Sequence, residues 1–207
     1  MKVGIIDYRM GNLGSVRRSF QELGAEVFVA HEPSVIERAD FIVLPGVGAF
    51  SEGMKNLSSG GWIPALEDSV NLKHKPLLGI CLGMQMLADY GTEGGKINGL
   101  GFIPGSVQKL DTLDCRERIP HVGWNEVSFI KEDTLFENIH NSSDFYFVHS
   151  YAFLPSNPKH LIATVPYGVN LTAVVKYKQV YGCQFHPEKS SKVGKQFLSN
   201  FIKQAIC

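Results

Sequence analysis

Four short apolar runs in the first 81 residues restrict the fold more than any other feature of the chain. They are "KVGIID" near the start, "AEVFVA" (25–30), "FIVLPG" (41–46) and "PLLGI" (76–80), and each reads as a β-strand. Helical patterns separate them. The turn "YRMGN" leads into a helix with Val16, Phe20 and Leu23 on one face and Gly24 as its C-cap. "SVIE" (34–37) has the Ser-x-x-Glu spacing of a capping box and predicts a short helix. Residues 51–73 predict two short helices broken by "SSGG" (58–61), and "LGMQMLAD" (82–89) predicts another after the fourth strand. Strands joined through helices pair in parallel, because a parallel connection has to cross over the sheet. Near-continuous apolar strands also fit a sheet covered on both faces.

The texture changes near residue 100. "GSVQKL", "NEVSFI", "FYFVHSYAFL", "LIATV" and "AVVKYKQVYGCQF" are β-rich, with few helical stretches between them. "VVKYKQVYG" is compatible with a hairpin across Lys178-Gln179, although those residues are poor for a tight primed turn. The last helix carries Val193, Phe197, Phe201 and the neighbouring Ile202 as an amphipathic stripe. No repeat, low-complexity tract or linker interrupts the chain. The expected fold class is α/β, a single domain over 1–207 with a central, largely parallel sheet flanked by helices and an antiparallel β-rich extension.

Charge excludes some partners. The 207 residues carry 20 Lys+Arg against 20 Asp+Glu, which gives no electrostatic case for nucleic acid or an acidic membrane surface. Apolar residues make up 44% and charged ones 19%, as in an ordinary globular chain. "MKVGIIDY" lacks the longer apolar region of a signal peptide, and no run approaches a membrane span. The four cysteines (Cys81, Cys115, Cys183, Cys207) form no CxxC pair, so free thiols in the cytoplasm are expected.

One of those thiols stands apart. Gly79-Ile80-Cys81-Leu82-Gly83 is G-x-C-x-G between a predicted strand and a predicted helix, the thiol version of a nucleophile elbow. A helix start beside the sulfur favours thiolate, and the Leu82 N–H is placed to face an oxyanion. The alternative is a small buried hydrophobe in an ordinary βα turn. A free thiol with a pKa near ~8.5 is only slightly ionised at neutral pH and needs a base.

"QFHPEKS" (184–190) offers one. In an extended segment His186 and Glu188 project to the same side, with Pro187 stiffening the backbone between them. Glu188 would hold one ring nitrogen while the other faces Cys81, the logic of a triad. Alone, His-Pro-Glu is commonly a surface turn. The other histidines lack a carboxylate at this spacing; His31 merely adjoins Glu32. With no HxxH or HxxxH motif, no metal is expected, and no cofactor. "LPGVGAF" (44–50) ends the third strand, where ligands gather beyond the carboxyl ends of parallel strands. Its exposed backbone N–H groups suit a second wall of an oxyanion hole; otherwise it is a plain βα turn. "GNLG" (11–14) lacks the spacing of a nucleotide loop.

In this order, "PGVG", "GICLGMQ" and "QFHPE" resemble the class I (triad-type) glutamine amidotransferases. "HVGWNEV" (121–127), "YFVHSY" (146–151) and "HPEKSS" (186–191) narrow the resemblance to the glutaminase subunits of imidazole glycerol phosphate synthase. The resemblance implies attack by Cys81 on the side-chain amide of L-glutamine, with His186 moving the proton and Glu188 orienting the ring. Leu82 and the Val47 region would form the oxyanion hole. Gly48, Gln85, Glu93, Ser150 and Tyr151 would hold the glutamine head group. Ammonia would pass to a separate (βα)8-barrel cyclase subunit of a heterodimer, across a face matched by Asn12, Trp124, Tyr146 and Lys189. The chain is far too short to contain such a barrel.

Three departures sit near these positions: Arg9 where the family often has glycine, Ala152 where an aromatic is common, and "TEGG" in place of a more acidic run. They leave the acceptor pathway open, since related subunits serve sugar amidation. A free-standing γ-glutamyl cysteine hydrolase shares the elbow but needs no partner. A non-catalytic binding subunit would have no need of all three triad residues.

Overall fold

Alternation along the strands sorts the core into two layers, one on each face of a long sheet. In the computed structural model, which describes residues 1–204, Val3 and Ile5 of β1 (Lys2–Ile6) join one layer and Ile6 the other. Asn12 caps α1 (Leu13–Glu22) by accepting from the Ser15 N–H at 3.4 Å, and Gly24 takes a positive φ just past its end. β2 (Glu26–Ala30) follows, then a 3-10 helix over Pro33–Arg38. The expected capping box does not form here. Pro33 opens the turn with Glu32 ahead of it, so Ser34 lies inside the helix and no side chain caps it.

β3 (Phe41–Gly46) is buried throughout. Two helices come next, α2 (Phe50–Ser59) and α3 (Trp62–Glu67), broken at Gly60-Gly61 as the sequence indicates; a π-helical turn, Asp68–Leu72, extends the second. β4 (Leu77–Cys81) leads directly into α4 (Leu82–Met86). That helix is shorter than the expected 82–89. Leu87 to Leu100 turn away into β5 (Tyr90–Gly91) and β6 (Ile97–Asn98), with the Leu100 N–H bonded to the Met86 carbonyl.

The later strands are β7 (Gly105–Lys109), β8 (His121–Phe129), β9 (Ser143–His149), β10 (Tyr151–Pro155), β11 (Leu161–Tyr167), β12 (Val169–Tyr177) and β13 (Val180–Cys183). α5 (Ser191–Lys203) closes the chain and buries Phe197, Phe201 and Ile202. Cys81, Cys115 and Cys183 are free thiols; Cys207 lies outside the described residues.

Nine strands form one sheet in the order β2-β1-β3-β4-β13-β12-β11-β8-β9. From β2 to β13 neighbours pair in parallel, and from β13 to β9 they are antiparallel. The two-residue hairpin at Lys178-Gln179 exists, with Lys178 at φ 54° supplying the left-handed turn. α1 and α5 cover one face; α2, α3 and α4 cover the other.

A second sheet, β10-β7-β5-β6, packs on that second face through Val107 and Phe153. Its existence was not foreseen. "FYFVHSYAFL" is two strands broken at Ser150, and the chain changes sheets at that residue. Alternation alone does not reveal which sheet a strand joins. No helix among the described residues is long and apolar enough to cross a membrane.

Candidate active site

The carboxyl ends of β3, β4 and β13 lie side by side, because Gly46 registers with Cys81 and Cys183 with Ile80. Three turns therefore converge. Cys81 has φ 53° and ψ −108°, a conformation few residues other than glycine adopt. The flanking glycines explain the G-x-C-x-G pattern sterically. A Cβ on Gly83 would run into the Leu44 carbonyl, and one on Gly79 would lie 2.7 Å from the Gly83 backbone. Strand and helix can approach this closely only without side chains there.

Sequence reasoning places His186 and Glu188 in an extended segment, and the structure corrects this. His186 is extended, but Pro187–Lys189 is a 3-10 turn. The turn still brings the pair together, with His186 Nδ1 2.9 Å from Glu188 Oε1 and both side chains at most 3% exposed. Burial works against charge on His186, but Cys81 and Glu188 beside it outweigh that and raise its pKa to about 9. His186 Nε2 is buried and has no hydrogen-bond partner. It is the ring nitrogen left for the thiol's proton. Cys81 Sγ itself faces the Val148 carbonyl at 3.8 Å and receives Gln184 Nε2 at 3.7 Å.

Beside the sulfur lies a cavity of about 310 Å³. Val47, Gly48, Cys81, Leu82, Gln85, Glu93, Ser150 and Tyr151 all line it, so the expected oxyanion-hole and head-group residues share one wall system. Gly48 has φ +108°, which L side chains rarely adopt, and Val47 is exposed. Glu93 is fixed by accepting the Phe50 N–H at 2.7 Å, where an anion also favours the start of α2. Gln85 is held differently from expectation. Its Nε2 donates to the Tyr151 carbonyl at 3.0 Å and to Gln184 Oε1 at 3.1 Å, so the amide nitrogen is engaged within the protein.

Two residues at the site escaped sequence reasoning. Gln184 is fully buried and reaches both Cys81 and Gln85. The signal was a lone Gln inside the apolar "GCQF" strand end, two residues before His186. His149 lines the cavity wall as well, and no carboxylate stands near it in sequence. His31, in contrast, has a carboxylate that sequence spacing conceals: its Nδ1 lies 2.9 Å from Asp7.

The four expected partner-face residues also cluster. Trp124 is 53% exposed, and its ring lies 5.9 Å from that of Tyr146, its register partner on β9. Lys189 Nζ sits 5.7 Å over the Tyr146 ring, and Asn12 and Lys189 border the same narrow crevice as His186 and Glu188. A larger hollow, about 680 Å³, lies between Phe129 and Glu137 and contains none of the expected residues. No group of three or more His, Cys, Asp or Glu able to hold a metal occurs among the described residues.

A cysteine on a strained strand-to-helix turn, faced by a buried His–Glu pair on a mixed α/β sheet, defines a class of thiol-dependent amide-cleaving proteins. The family model for class-I glutamine amidotransferases matches residues 4–205, and the chain belongs to that family. It is 45% identical over 201 residues to the imidazole glycerol phosphate synthase subunit HisH 1 of Campylobacter jejuni (strain 81-176), covering 97% of this chain and 99% of that one. The subunit HisH of Pelagibacter ubique is 41% identical, with 98% and 99% covered. The subunit HisH 2 of Methanococcus maripaludis is 42% identical, with 98% and 100% covered. Among solved structures, one described as a glutamine amidotransferase superposes with a TM-score of 0.77 over 99% of both chains at 18% identity. A putative GMP synthase subunit from Thermoplasma acidophilum gives 0.73 at 21% identity, over 98% of this chain and 92% of that one. These two share the fold.

Proposed function

We propose that the chain is the glutaminase subunit of an imidazole glycerol phosphate synthase. It hydrolyses L-glutamine to glutamate and hands the ammonia to a (βα)8-barrel cyclase subunit, which makes imidazole glycerol phosphate and the purine precursor AICAR in histidine biosynthesis. The observation that carries this reading is the strained Cys81 at the cavity, beside a His186 whose free nitrogen has no other partner.

The chemistry follows from those positions. His186 Nε2 takes the thiol proton and the sulfur attacks the side-chain amide carbon of glutamine. The C=O becomes an oxyanion that the Leu82 N–H and a Val47 N–H stabilise, one such donor being worth roughly 10²–10³ in rate. The imidazolium, steadied by Glu188, returns the proton to the departing nitrogen, which leaves as ammonia. Water then cleaves the thioester, releasing glutamate and restoring the thiol. Glu93 is the anion available for the substrate ammonium, with Ser150, Tyr151, Gln85 and Gly48 completing the head-group pocket.

Trp124, Tyr146, Lys189 and Asn12 form the docking face for the cyclase, adjacent to the triad crevice. The compartment is the cytoplasm, where biosynthetic enzymes with free thiols operate. The test is glutamine hydrolysis by the chain alone and with the cyclase and its nucleotide substrate. Marked stimulation by both is expected; a partner-independent rate as high as the stimulated one would favour a free-standing hydrolase.

A further inference from the structure

Two buried histidines form a hydrogen-bonded chain that the reaction above does not use. His121 opens β8, His149 ends β9, and the two are register partners, 2% and 5% exposed. His149 Nδ1 lies 2.8 Å from the Tyr151 carbonyl, which can only accept. The Nδ1 therefore carries the proton, and Nε2 of the neutral ring is an acceptor. His121 Nδ1 lies 3.0 Å from that Nε2, so it must be the donor. This leaves His121 Nε2 to accept from Asn125 Nδ2 at 3.4 Å. The Asn125 amide is itself oriented by the Glu126 N–H on its oxygen and the Pro166 carbonyl on its nitrogen. Each link dictates the next.

The rings have little freedom. His121 is stacked between Tyr167 at 3.9 Å and Phe147 at 4.9 Å. Burial holds both histidines neutral, His149 at a pKa of about 3 and His121 at about 4, as a donor–acceptor chain requires.

What the chain holds is the point where the protein changes sheets. Ser150 joins β9 of the large sheet to β10 of the small one, and Val148 to Tyr151 line the cavity beside Cys81. The Tyr151 carbonyl receives two donors at once, His149 Nδ1 and Gln85 Nε2. An apolar pair would fill this space without the cost of burying two imidazoles. The polar pair adds direction, because it pins the Tyr151 carbonyl, fixing the backbone immediately after Ser150 and with it the placement of the Ser150–Tyr151 segment.

We propose that His149, aligned by His121, is a positioning residue for the glutamine pocket, holding Ser150–Tyr151 in the pose that binds the substrate's head group. This rests on the proposed glutaminase function. His149 touches no reacting atom in this scheme, so its loss falls on binding rather than on the triad.

The test uses the complex with the cyclase. Replacing His149 by Leu removes the donor, and the glutamine KM is expected to rise about tenfold or more, as for loss of a buried hydrogen bond. kcat should change much less, and cyclisation supplied with free ammonium should stay intact. His149→Asn, which restores a donor near the Nδ1 position, should recover much of the KM. His121→Phe keeps the stacking but removes the alignment, and should raise KM by a smaller factor; it also serves if the Leu variant fails to fold. Ring nitrogen spectra of the unaltered protein at neutral pH should show both histidines as Nδ1–H tautomers. An Nε2–H tautomer at His149, or an unchanged KM in His149→Leu and His121→Phe, would overturn the positioning role. Absence of glutamine hydrolysis by the unaltered complex would instead overturn the functional reading, and the tautomer measurement is independent of it.

Discussion

The parallel and antiparallel halves of the large sheet contribute to the candidate site in different ways. In the parallel half, functional groups sit on turns immediately after strand ends: Val47 and Gly48 after β3, Cys81 at the end of β4, and His186 after β13. Parallel neighbours point the same way, so their ends gather on one edge and bring distant residues together without further design. In the antiparallel half, groups are set by cross-strand register. Trp124 pairs with Tyr146 on the outer face and His121 with His149 on the inner one. One half carries the candidate reacting groups together with Asn12 and Lys189; the other contributes the His121–His149 alignment and the Trp124–Tyr146 pair of the proposed docking face.

If this division is right, damage to each half should fail differently. Cys81→Ala is expected to lower glutamine-dependent turnover by on the order of 10³-fold or more, while ammonium-dependent cyclisation by the complex survives. Equal loss with both nitrogen sources would dissolve the distinction. His186→Ala should cost roughly 10²–10⁴ in glutaminase rate, as for removal of a general base. Glu188→Gln should cost less, because orienting a base is less essential than being one. Rapid-quench glutaminase assays of the three variants rank them directly.

Gly46→Ala is the next largest. A Cβ there would meet the Tyr8 hydroxyl, which is buried without a partner, and would displace the Val47 amide. Turnover stimulated by partner and acceptor should fall by up to about 10², far more than basal turnover. Steady-state kinetics with and without the acceptor analogue measures the ratio. On the antiparallel side, Trp124→Ala should leave the folding of the lone chain unchanged but weaken cyclase binding by about tenfold or more, as for an exposed aromatic anchor. Calorimetric titration would show it; normal affinity would remove Trp124 from the docking face.

The smallest effect separates the halves by pH. His186 is raised to about 9 in the fold from an ordinary 6.5, so its proton stabilises the native state. That contribution is complete below pH 6.5 and fades as pH climbs through 9. His121 and His149 are depressed to about 4 and 3, so the unfolded chain binds protons there that the native state refuses. Their effect is absent above pH 6.5 and destabilises progressively as pH falls toward 4. Denaturation midpoints across this range should therefore lose the alkaline decline in His186→Ala and part of the acid decline in His121→Phe.

The strained Cys81 turn and the His186–Glu188 pair were legible in sequence because their constraints are local. G-x-C-x-G describes one turn in which strand and helix nearly touch, and His-Pro-Glu keeps acid and base two residues apart whether the segment is extended or a 3-10 turn. The near-continuous apolar runs separated by helical patterns likewise marked the parallel strands and a sheet covered on both faces. Other features were not written locally. Ser34 and Glu37 carry capping-box spacing, yet Pro33 starts the turn with Glu32 as its N-cap, two residues sooner than that box requires. Ser150 gives no sign that the chain leaves one sheet for another there, and the fully buried Gln184 shows its role only once β13 lies beside β4.

The sequence by itself determined the groups that the proposed reaction uses, since a strained thiol turn and a paired imidazole are properties of a few adjacent residues. The tertiary structure alone decided what surrounds them. Pairing His121 with His149 and setting Trp124 edge-on against Tyr146 require residues more than 20 apart in sequence to find one register, and Glu93 reaches the cavity only through its contact with the start of α2. Register depends on the burial of whole sheet faces and on the turns between strands, which no short segment encodes.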